Sequence, residues 1–350
     1  MMNYKKLLLL LLVTSISLLC CGFSFHKKTV SADTTKATQQ IVSESYNETQ
    51  NDVWCITFQL IWNDFMDKFS DGKSVRFVGG NPPLADELNK KLYTKDLLSD
   101  KSYYITQGKL SLKLKKEIEK AIYKKFKEKS DVLDRIDWNA KESYLFYTML
   151  KKDFTFLTPF DKLDAQPFNK SDFVVKYFGI NKKSDRKLRH NVDVIFYNNS
   201  NDFAVKLNTK ENEEVILYRT DNKDTFENLY TRVYKDFRNY GEFDKNDALY
   251  IPNIDVNKLI SYDELCGKKL KDSNYMISQA LQTIKFKLDD KGGILKSEAA
   301  MAIMKTSLEP LRKERYFIFN KPFVLFLKEK GKDRPYYAMY IDDTKYLVKK

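Results

Sequence analysis

Apolar and polar positions alternate in the last quarter of the chain with the two-residue period of a β-strand. Residues 284–288 read Ile-Lys-Phe-Lys-Leu, which predicts a strand with one buried face. Two further strands are predicted at Phe319–Leu327 and Tyr336–Ile341. Turn-forming residues at 329–333 lie between these two strands, so they are predicted to form a hairpin.

A long connection separates the first of these strands from the hairpin. It opens with Gly292-Gly293, continues through small residues, ends in a basic cluster and shows no strong strand signal. Connections of this length inside a compact domain are uncommon, and they are usually functional or disordered. This connection is therefore the first candidate for a functional segment.

The chain before residue 144 shows helical spacing instead. Apolar side chains recur every three or four residues in Val53–Phe69, Leu84–Leu98 and Leu114–Phe126, which predicts three helices. The opposite face of the third helix is basic, with Lys113, Lys116, Lys120, Lys124 and Lys127. This face is either a solvated surface or a site for anionic lipid.

Strand patterns dominate from residue 144 onward. Strands are predicted at Val174–Phe178, Val192–Tyr197, Phe203–Leu207, Val215–Tyr218 and Ala248–Ile251. Neither an internal repeat nor a linker divides residues 53–350. We therefore predict one α+β domain with mixed and antiparallel sheets and a helical N-terminal half.

The start of the chain carries a targeting signal. Lys5-Lys6 precedes an apolar run that is too short to cross a membrane comfortably. The run ends at Cys20-Cys21-Gly22, which resembles a lipoprotein signal with lipidation at Cys21; ordinary cleavage and secretion is the alternative. Residues 1–21 are thus predicted to be a signal peptide, and 22–52, rich in Ser, Thr, Gln and Asn, a flexible tether. We expect an exported protein, extracellular or lipid-anchored on the outer face of a bacterial cell membrane.

Composition narrows the possible partners. With 43% hydrophobic and 14% aromatic residues, the chain can build a sizeable core. The net charge of +13 admits nucleic acid, an anionic membrane or an acidic partner, but its even spread and the export signal argue against nucleic acid. A disulfide between Cys55 and Cys266 is permitted outside the cell. The apolar residues around Cys55 instead favour its interpretation as a small buried side chain.

The residues for catalysis are sparse. The chain has only His26 and His190, so a Ser-His or Cys-His centre would need His190, and no nucleophile motif lies near it. Zinc spacings and phosphate-binding glycine loops are absent from the sequence. Adjacent carboxylates such as Glu213-Glu214 are interpreted as strand-end charges. We predict that the chain is not an enzyme and needs no cofactor or metal; an envelope hydrolase is the least favoured class.

Two stretches resemble the serpin family. The first is LDDKGGILKSEAAMAIM followed by FNKPFVLFLKEKGKDRPYYAMYIDD, which is similar to the serpin strand end, hinge, exposed reactive loop and last hairpin. The second is Tyr144–Phe168, which is similar to the central serpin strand and its Pro-Phe continuation. The similarity covers roughly the last two hundred residues and implies a serpin-like fold.

The resemblance also implies a mechanism and a partner. A serpin offers its loop as a substrate to a serine or cysteine protease, and the cleaved loop then inserts as a strand into the main sheet. A metastable native fold drives this step. The implied function is suicide-substrate inhibition by a monomer through residues 297–315. The alternative is a non-inhibitory envelope lipoprotein that uses the fold as a binding or structural module.

The resemblance assigns the site residues. The hinge falls on Gly292, Gly293, Ser297, Glu298, Ala299, Ala300, Met301 and Ala302. The scissile region falls on Pro310, Leu311, Arg312 and Lys313. Cleavage after Arg312 implies a trypsin-like target, and cleavage after Leu311 a chymotrypsin- or elastase-like target, while Arg312, Lys313 and Arg315 are equally compatible with plain solvated charges.

An inserting strand must be free of proline and must alternate between a buried and an exposed face. Ser297, Ala299, Met301 and Ile303 are expected on the buried face, and the first break is Pro310. Three features depart from the family. Residues 293–296 are extra before the hinge, Gln282 stands where a histidine is usual under the main sheet, and the N-terminal part is short. Fold and inhibition are therefore separate predictions.

Overall fold

The hairpin predicted at the end of the chain lies within a seven-stranded antiparallel sheet. The computed structural model describes residues 52–140, 143–235, 241–271, 273–295 and 314–350, together with the backbone of 42–45. In this part of the chain the strand Phe323–Glu329 is buried at every position. Both faces of the sheet are covered, which explains why its sequence is a continuous apolar run rather than an alternating one.

The described residues form four α-helices and eighteen strands. The helices are α1 Thr57–Phe69, α2 Pro83–Asn89, α3 Leu112–Phe126 and α4 Phe226–Lys235. The first nine strands are β1 Val42–Ser45, β2 Val53–Cys55, β3 Tyr103–Lys109, β4 Tyr144–Leu150, β5 Asp153–Thr155, β6 Asp161–Pro167, β7 Val174–Ile180, β8 Val192–Asn199 and β9 Asp202–Asn208. The others are β10 Glu213–Arg219, β11 Gly241–Glu242, β12 Ala248–Pro252, β13 Ile254–Ser261, β14 Leu281–Asp289, β15 Gly292–Leu295, β16 Tyr316–Ile318, β17 Phe323–Glu329 and β18 Tyr337–Ile341.

These strands form four sheets. The seven-stranded sheet has the order β11-β8-β9-β10-β17-β18-β2, and a five-stranded sheet has the order β1-β13-β14-β15-β5. A four-stranded sheet, β16-β12-β7-β6, and the pair β3-β4 complete the set. Most neighbours are antiparallel, whereas β1 with β13 and β12 with β16 are parallel. The predicted α+β class with mixed and antiparallel sheets is confirmed.

Aromatic contacts hold the sheets and helices together. The ring of Phe286 on β14 lies 5.0 Å from that of Tyr337 on β18, which joins the five- and seven-stranded sheets. On the other face of the seven-stranded sheet, α4 packs through Leu229, Tyr230 and Val233. One main hydrophobic cluster therefore fills the space between the sheets, and a second lies under α4.

Several element boundaries differ from those predicted. Val53–Cys55 is strand β2, paired with β18, so α1 begins only at Thr57. Helix α2 ends at Asn89, because Lys91 adopts a positive φ of 50° that no helix continues. The strand predicted at Phe319–Leu327 starts at Phe323 instead, since Pro322 lacks a backbone donor for the ladder.

Three observations concern the termini and the cysteines. Strand β1, Val42–Ser45, lies inside the range predicted as a tether. Asp52 at the end of that range is also described, whereas the signal peptide and the other residues of the tether lie outside the described residues. Cys55 and Cys266 are both free, so the disulfide left open by the sequence does not form. No helix in the described residues is long and apolar enough to cross a membrane.

Candidate functional site

An unfilled gap between β4 and β14 is the main candidate site. One edge of β4 pairs with β3, and its other edge meets no strand among the residues that the structure describes. Strand β14 pairs with β15 only from Phe286 to Asp289. Residues 281–285 therefore present a second open edge on the same side. Two unpaired strand edges with free backbone donors and acceptors form a template for an added strand.

A cavity of about 640 Å³ occupies this gap. Helix α1 forms its apolar floor, with Phe58, Trp62, Phe65 and Phe69 among the lining residues. The ring of Phe65 lies 5.5 Å from that of Phe146 on β4, edge to face. The buried hydroxyl of Thr148 also lines the cavity and has no hydrogen-bond partner within the described part of the chain. The gap is thus mainly hydrophobic, with strand edges at both sides.

Helix α3 covers the other face of β4. Ile118, Ile122 and Phe126 of this helix pack with Tyr147, while Phe146 points toward α1. Successive side chains of β4 therefore contact different helices, as the strand pleat requires. Strand β4 lies between two helices, and within the described part of the chain its edge toward β14 is the one that pairs with no strand.

Strand β15 closes the upper end of the gap. It runs antiparallel to β14 and to β5, and lies between them. A Cβ on Gly292 would lie 2.2 Å from the carbonyl oxygen of Phe154, and one on Gly293 would lie 2.3 Å from the Phe154 ring. Only glycine therefore lets β15 approach β5 this closely. The residues that the sequence marked as extra before the hinge are thus largely strand.

The two faces of β15 differ in exposure. Ile294 is 57% exposed, whereas Leu295 is buried against the core. Ile294 therefore faces solvent, and Leu295 faces the core.

A buried charged cluster lies where β4 passes into β5. The ammonium of Lys152 is wholly buried and lies 2.7 Å from Oε1 of Glu213, and it also contacts Glu329. The hydroxyl of Tyr336 donates to the other oxygen of Glu213. The backbone N–H of Ser99 donates to Glu329 at 2.8 Å. Lys152 thereby ties the start of β5 to strands β10 and β17.

This cluster has two carboxylates and one ammonium group. Burial raises the pKa of Glu213 above its ordinary value, and the charge of Lys152 only partly opposes this shift. Burial, followed by the neighbouring Glu213 carboxylate, likewise raises the pKa of the Tyr336 phenol. Glu213 was interpreted from the sequence as a turn or strand-end charge. It is the first residue of β10, and its side chain is fully buried.

The chain re-enters the described part at Glu314, and the next residue is firmly bound. Arg315 pairs with the buried carboxylate of Asp247, with Nη2 at 2.6 Å from Oδ2. The same nitrogen donates to the carbonyl of Glu242 at 2.7 Å. Arg315 was left open as a solvated charge, and the structure shows it to be an anchor instead. Arg315 therefore fixes the chain close to the point where it re-enters the described residues.

Gln282 lies beneath the sheet, where the resemblance led us to expect an altered network. Its Nε2 donates to the carbonyl of Cys55 at 3.1 Å and to the Thr57 hydroxyl at 2.6 Å. The Tyr262 hydroxyl donates to its Oε1 at 2.6 Å. Gln282 therefore connects β14 to the start of α1.

The remaining predicted site residues lie elsewhere. His190 lies on the 3-10 helix Arg186–Asn191, and its side chain is exposed to solvent. Outside the described residues lie Cys21, Ser297, Glu298, Ala299, Ala300, Met301, Ala302, Pro310, Leu311, Arg312 and Lys313. Their assignments, and the hinge role of Gly292 and Gly293, stay predictions. Lys152 and Asp247 were missed because their partners are distant in the sequence.

Comparison with known proteins adds information on the fold. No family model and no curated protein matches the chain. Among solved structures, Serpin48, described as a highly specific serpin in the insect Tenebrio molitor, is 13% identical, with 84% of this chain and 92% of that chain covered and a TM-score of 0.47. Human thyroxine-binding globulin in complex with thyroxine is 10% identical, with 83% of this chain and 91% of that chain covered and a TM-score of 0.47.

Human glycosylated kallistatin is 12% identical, with 66% of this chain and 64% of that chain covered and a TM-score of 0.41. The sequence motifs predicted a serpin-like fold, and these three matches are similarities to proteins of that kind with TM-scores below 0.5. At such identities and TM-scores they concern the fold alone and carry no argument about activity.

Proposed function

We propose that the chain is an exported, serpin-like inhibitor of a serine or cysteine protease, and that it acts through residues 297–315. The observation that carries this proposal is the open gap between β4 and β14, where the connection that follows β15 has room to become a strand. The chain itself needs no catalytic residue for this function.

The chemistry belongs to the target protease. Its serine or cysteine attacks the carbonyl of the scissile residue, within 310–313, and the amine of the next residue leaves with a proton. The acyl-enzyme joins the protease to the new C-terminal end of the loop. Insertion of the loop between β4 and β14 then moves the protease and distorts its active site, so that water does not complete hydrolysis.

The register of β15 supports insertion as a continuous strand. Leu295 pairs with Phe286, so the same register continues with Ser297 opposite Ile284 and Ala299 opposite Gln282. Because Leu295 faces the core, the residues at 297, 299, 301 and 303 would follow it inward. These are the residues that the sequence pattern assigned to the buried face. The aromatic floor of the cavity would then contact small or flexible side chains.

A second candidate function is a non-inhibitory binding or structural module. It is favoured by β15 itself, which already fills the upper end of the gap before any cleavage. Part of the pairing that would drive insertion is thus already formed. Such a protein would be cut in the loop without trapping the protease.

The direct test mixes the protein with trypsin, chymotrypsin, elastase and papain, and follows the products on a denaturing gel. Inhibition gives a covalent complex whose mass is the sum of the protease and the N-terminal fragment that ends at the scissile residue, because the C-terminal fragment separates on a denaturing gel. A second measurement compares heat denaturation before and after limited proteolysis in the loop. Cleavage at 310–313 with neither a complex nor a large gain in heat resistance would exclude inhibition and support the non-inhibitory module.

Export and anchoring form a separate part of the proposal. We propose lipidation at Cys21, which follows the apolar run of the targeting segment. Labelling with a fatty-acid analogue in cells, compared between the wild type and Cys21→Ala, tests this. Equal labelling of the two proteins, or none in either, would leave secretion of a free protein as the better account.

A further inference from the structure

Helix α3 has two faces of different chemistry. Ser111 caps its start by accepting a hydrogen bond from the Leu114 N–H. Ile118, Ile122 and Phe126 are buried against the β3-β4 pair. The opposite face has no covering element among the described residues, and all its members are exposed. The helix is therefore an amphipathic element on the outside of the molecule.

Five lysines form one stripe along this outer face. They are spaced three, four, four and three residues apart: Lys113, Lys116, Lys120, Lys124 and Lys127. At about 1.5 Å per residue the stripe is roughly 21 Å long. The ammonium groups of Lys116, Lys120 and Lys124 lie within ion-pair distance of none of the carboxylates that the structure describes. Lys113 lies 3.9 Å from Glu117 at the edge of the stripe.

The lysines outside the stripe behave differently. Lys115 lies 2.6 Å from Asp134. Lys125 donates to the backbone carbonyls of Asp100, at 2.7 Å, and Tyr103. The helix thus divides its lysines into two that bind the protein itself and a stripe directed to solvent. This division gives the outer face a concentrated positive charge.

Two large apolar side chains flank the stripe on one side. Leu112 is 63% exposed and Tyr123 is 58% exposed. The ammonium of Lys127 lies 5.5 Å from the centre of the Tyr123 ring. Helices that bind a lipid surface combine lysine side chains at the head groups with large apolar side chains in the interface, and the exposed side of α3 offers both kinds of side chain. A soluble polyanion would use the lysines and leave both apolar groups in water.

We infer that the outer face of α3 binds the surface of an anionic lipid bilayer, with the lysine stripe at the head groups and Leu112 and Tyr123 in the interface. This inference does not depend on the proposed inhibition, because the gap between β4 and β14 lies on another side of β4. It also does not depend on a lipid at Cys21. It gives the excess positive charge a specific place and a specific partner.

The test uses residues 22–350, which keep every described residue and omit the apolar targeting segment and Cys21. Sedimentation with vesicles of phosphatidylcholine alone is compared with vesicles that contain phosphatidylglycerol. We expect binding only to the anionic vesicles, and binding that weakens with salt. A triple variant with Lys116→Gln, Lys120→Gln and Lys124→Gln should bind about 100-fold more weakly, since each lysine near such a surface contributes on the order of 1 kcal/mol.

The matched control removes equal charge elsewhere, with Lys162→Gln, Lys170→Gln and Lys183→Gln, all exposed. It should retain most of the binding. Equal losses in the two triple variants would overturn the assignment to α3, because net charge alone would then explain the binding. Absence of binding to anionic vesicles would overturn it outright.

A second variant separates a lipid surface from a soluble polyanion. Leu112→Ser with Tyr123→Ser keeps every charge, so it should weaken vesicle binding several-fold and leave retention on a heparin column unchanged. If vesicle binding is also unchanged, the face is a purely electrostatic polyanion site and the lipid assignment is wrong. Circular dichroism of each variant checks that the helices remain folded.

Discussion

Arg315 and Asp247 form a nearly buried ion pair at the C-terminal end of the proposed loop. Nη2 of Arg315 lies 2.6 Å from Oδ2 of Asp247, and Nε lies 3.2 Å from both carboxylate oxygens. The backbone N–H of Arg315 also donates to Asp247, at 3.2 Å. In the proposed mechanism, the residues that insert after cleavage would therefore be those that follow Leu295, while Arg315 keeps its position.

Removal of Asp247 should destabilise the protein strongly. Asp247→Ala leaves the Arg315 guanidinium without its partner in a mostly buried position, and we expect a loss of about 3 kcal/mol in the free energy of unfolding. Urea denaturation measures this. The control is Glu87→Ala, which breaks an exposed pair with Lys90 and should cost less than about 1 kcal/mol. Similar losses for both variants would mean that Asp247 is no anchor.

A proline in the hinge should convert an inhibitor into a substrate. Ala299→Pro removes a backbone donor at a position that would pair within the sheet, so insertion should fail after cleavage. We expect the yield of the covalent protease complex to fall by roughly tenfold or more, with cleaved protein in its place. Ala299→Ser keeps the donor and should behave as the wild type. An undiminished complex in the proline variant would contradict insertion at this position.

A side chain at residue 293 should displace β15. In Gly293→Val the added atoms would overlap the ring of Phe154, and we expect a loss of about 1–3 kcal/mol in the free energy of unfolding. Hydrogen exchange at the amide of Leu295 should become faster. Ile294→Val on the exposed face of the same strand should change stability by less than about 0.5 kcal/mol. If Gly293→Val has the hydrogen exchange and the stability of the wild type, β15 does not pack against Phe154.

The buried Glu213 should make stability depend on pH. Its pKa in the folded protein is raised above the ordinary 4.5, so the unfolded chain loses this proton at a lower pH than the native protein does. The contribution of Glu213 to stability is therefore full below about pH 4.5, and it is lost as the pH rises through the raised pKa. Glu213→Gln removes this dependence, so its stability relative to the wild type should increase with pH.

The measurement is urea unfolding of both proteins in steps of pH across this range, with Glu87→Gln as an exposed control. If the stability of Glu213→Gln relative to the wild type instead falls as the pH rises, the charge of Lys152 outweighs the effect of burial, and the pKa of Glu213 is lowered rather than raised. The control should give a difference that is nearly independent of pH.

Hydrophobic periodicity and turn residues predicted two kinds of element. These are strands that pair with a strand close in sequence, and helices or strands with one buried and one exposed face. The alternation at 284–288 predicted β14, and the turn at 329–333 predicted the β17-β18 hairpin, in which the N–H of Lys332 donates to the carbonyl of Glu329. The stripe of α3 was equally clear. In each case burial on one side forces a periodic sequence.

The candidate site depended on distant contacts that no local pattern reveals. Lys152 meets Glu213 and Glu329 across 61 and 177 residues, respectively. Strand β15 was missed because its two glycines signal a turn, whereas here they permit close contact with Phe154. The unpaired edge of β4 is a property of the assembled sheets. The predicted inserting strand required a gap in the main sheet. The position of that gap follows only from the arrangement of the strands.

Gln282 has a consequence for how the molecule responds to acidity. A histidine at this position would change its charge near about pH 6.5 and would alter its bonds to Cys55, Thr57 and Tyr262. A carboxamide neither gains nor loses a proton in that range, so these bonds persist when the surroundings turn mildly acid. The hydrogen bonds that attach the start of β14 to its surroundings through Gln282 therefore do not depend on the protonation of this side chain.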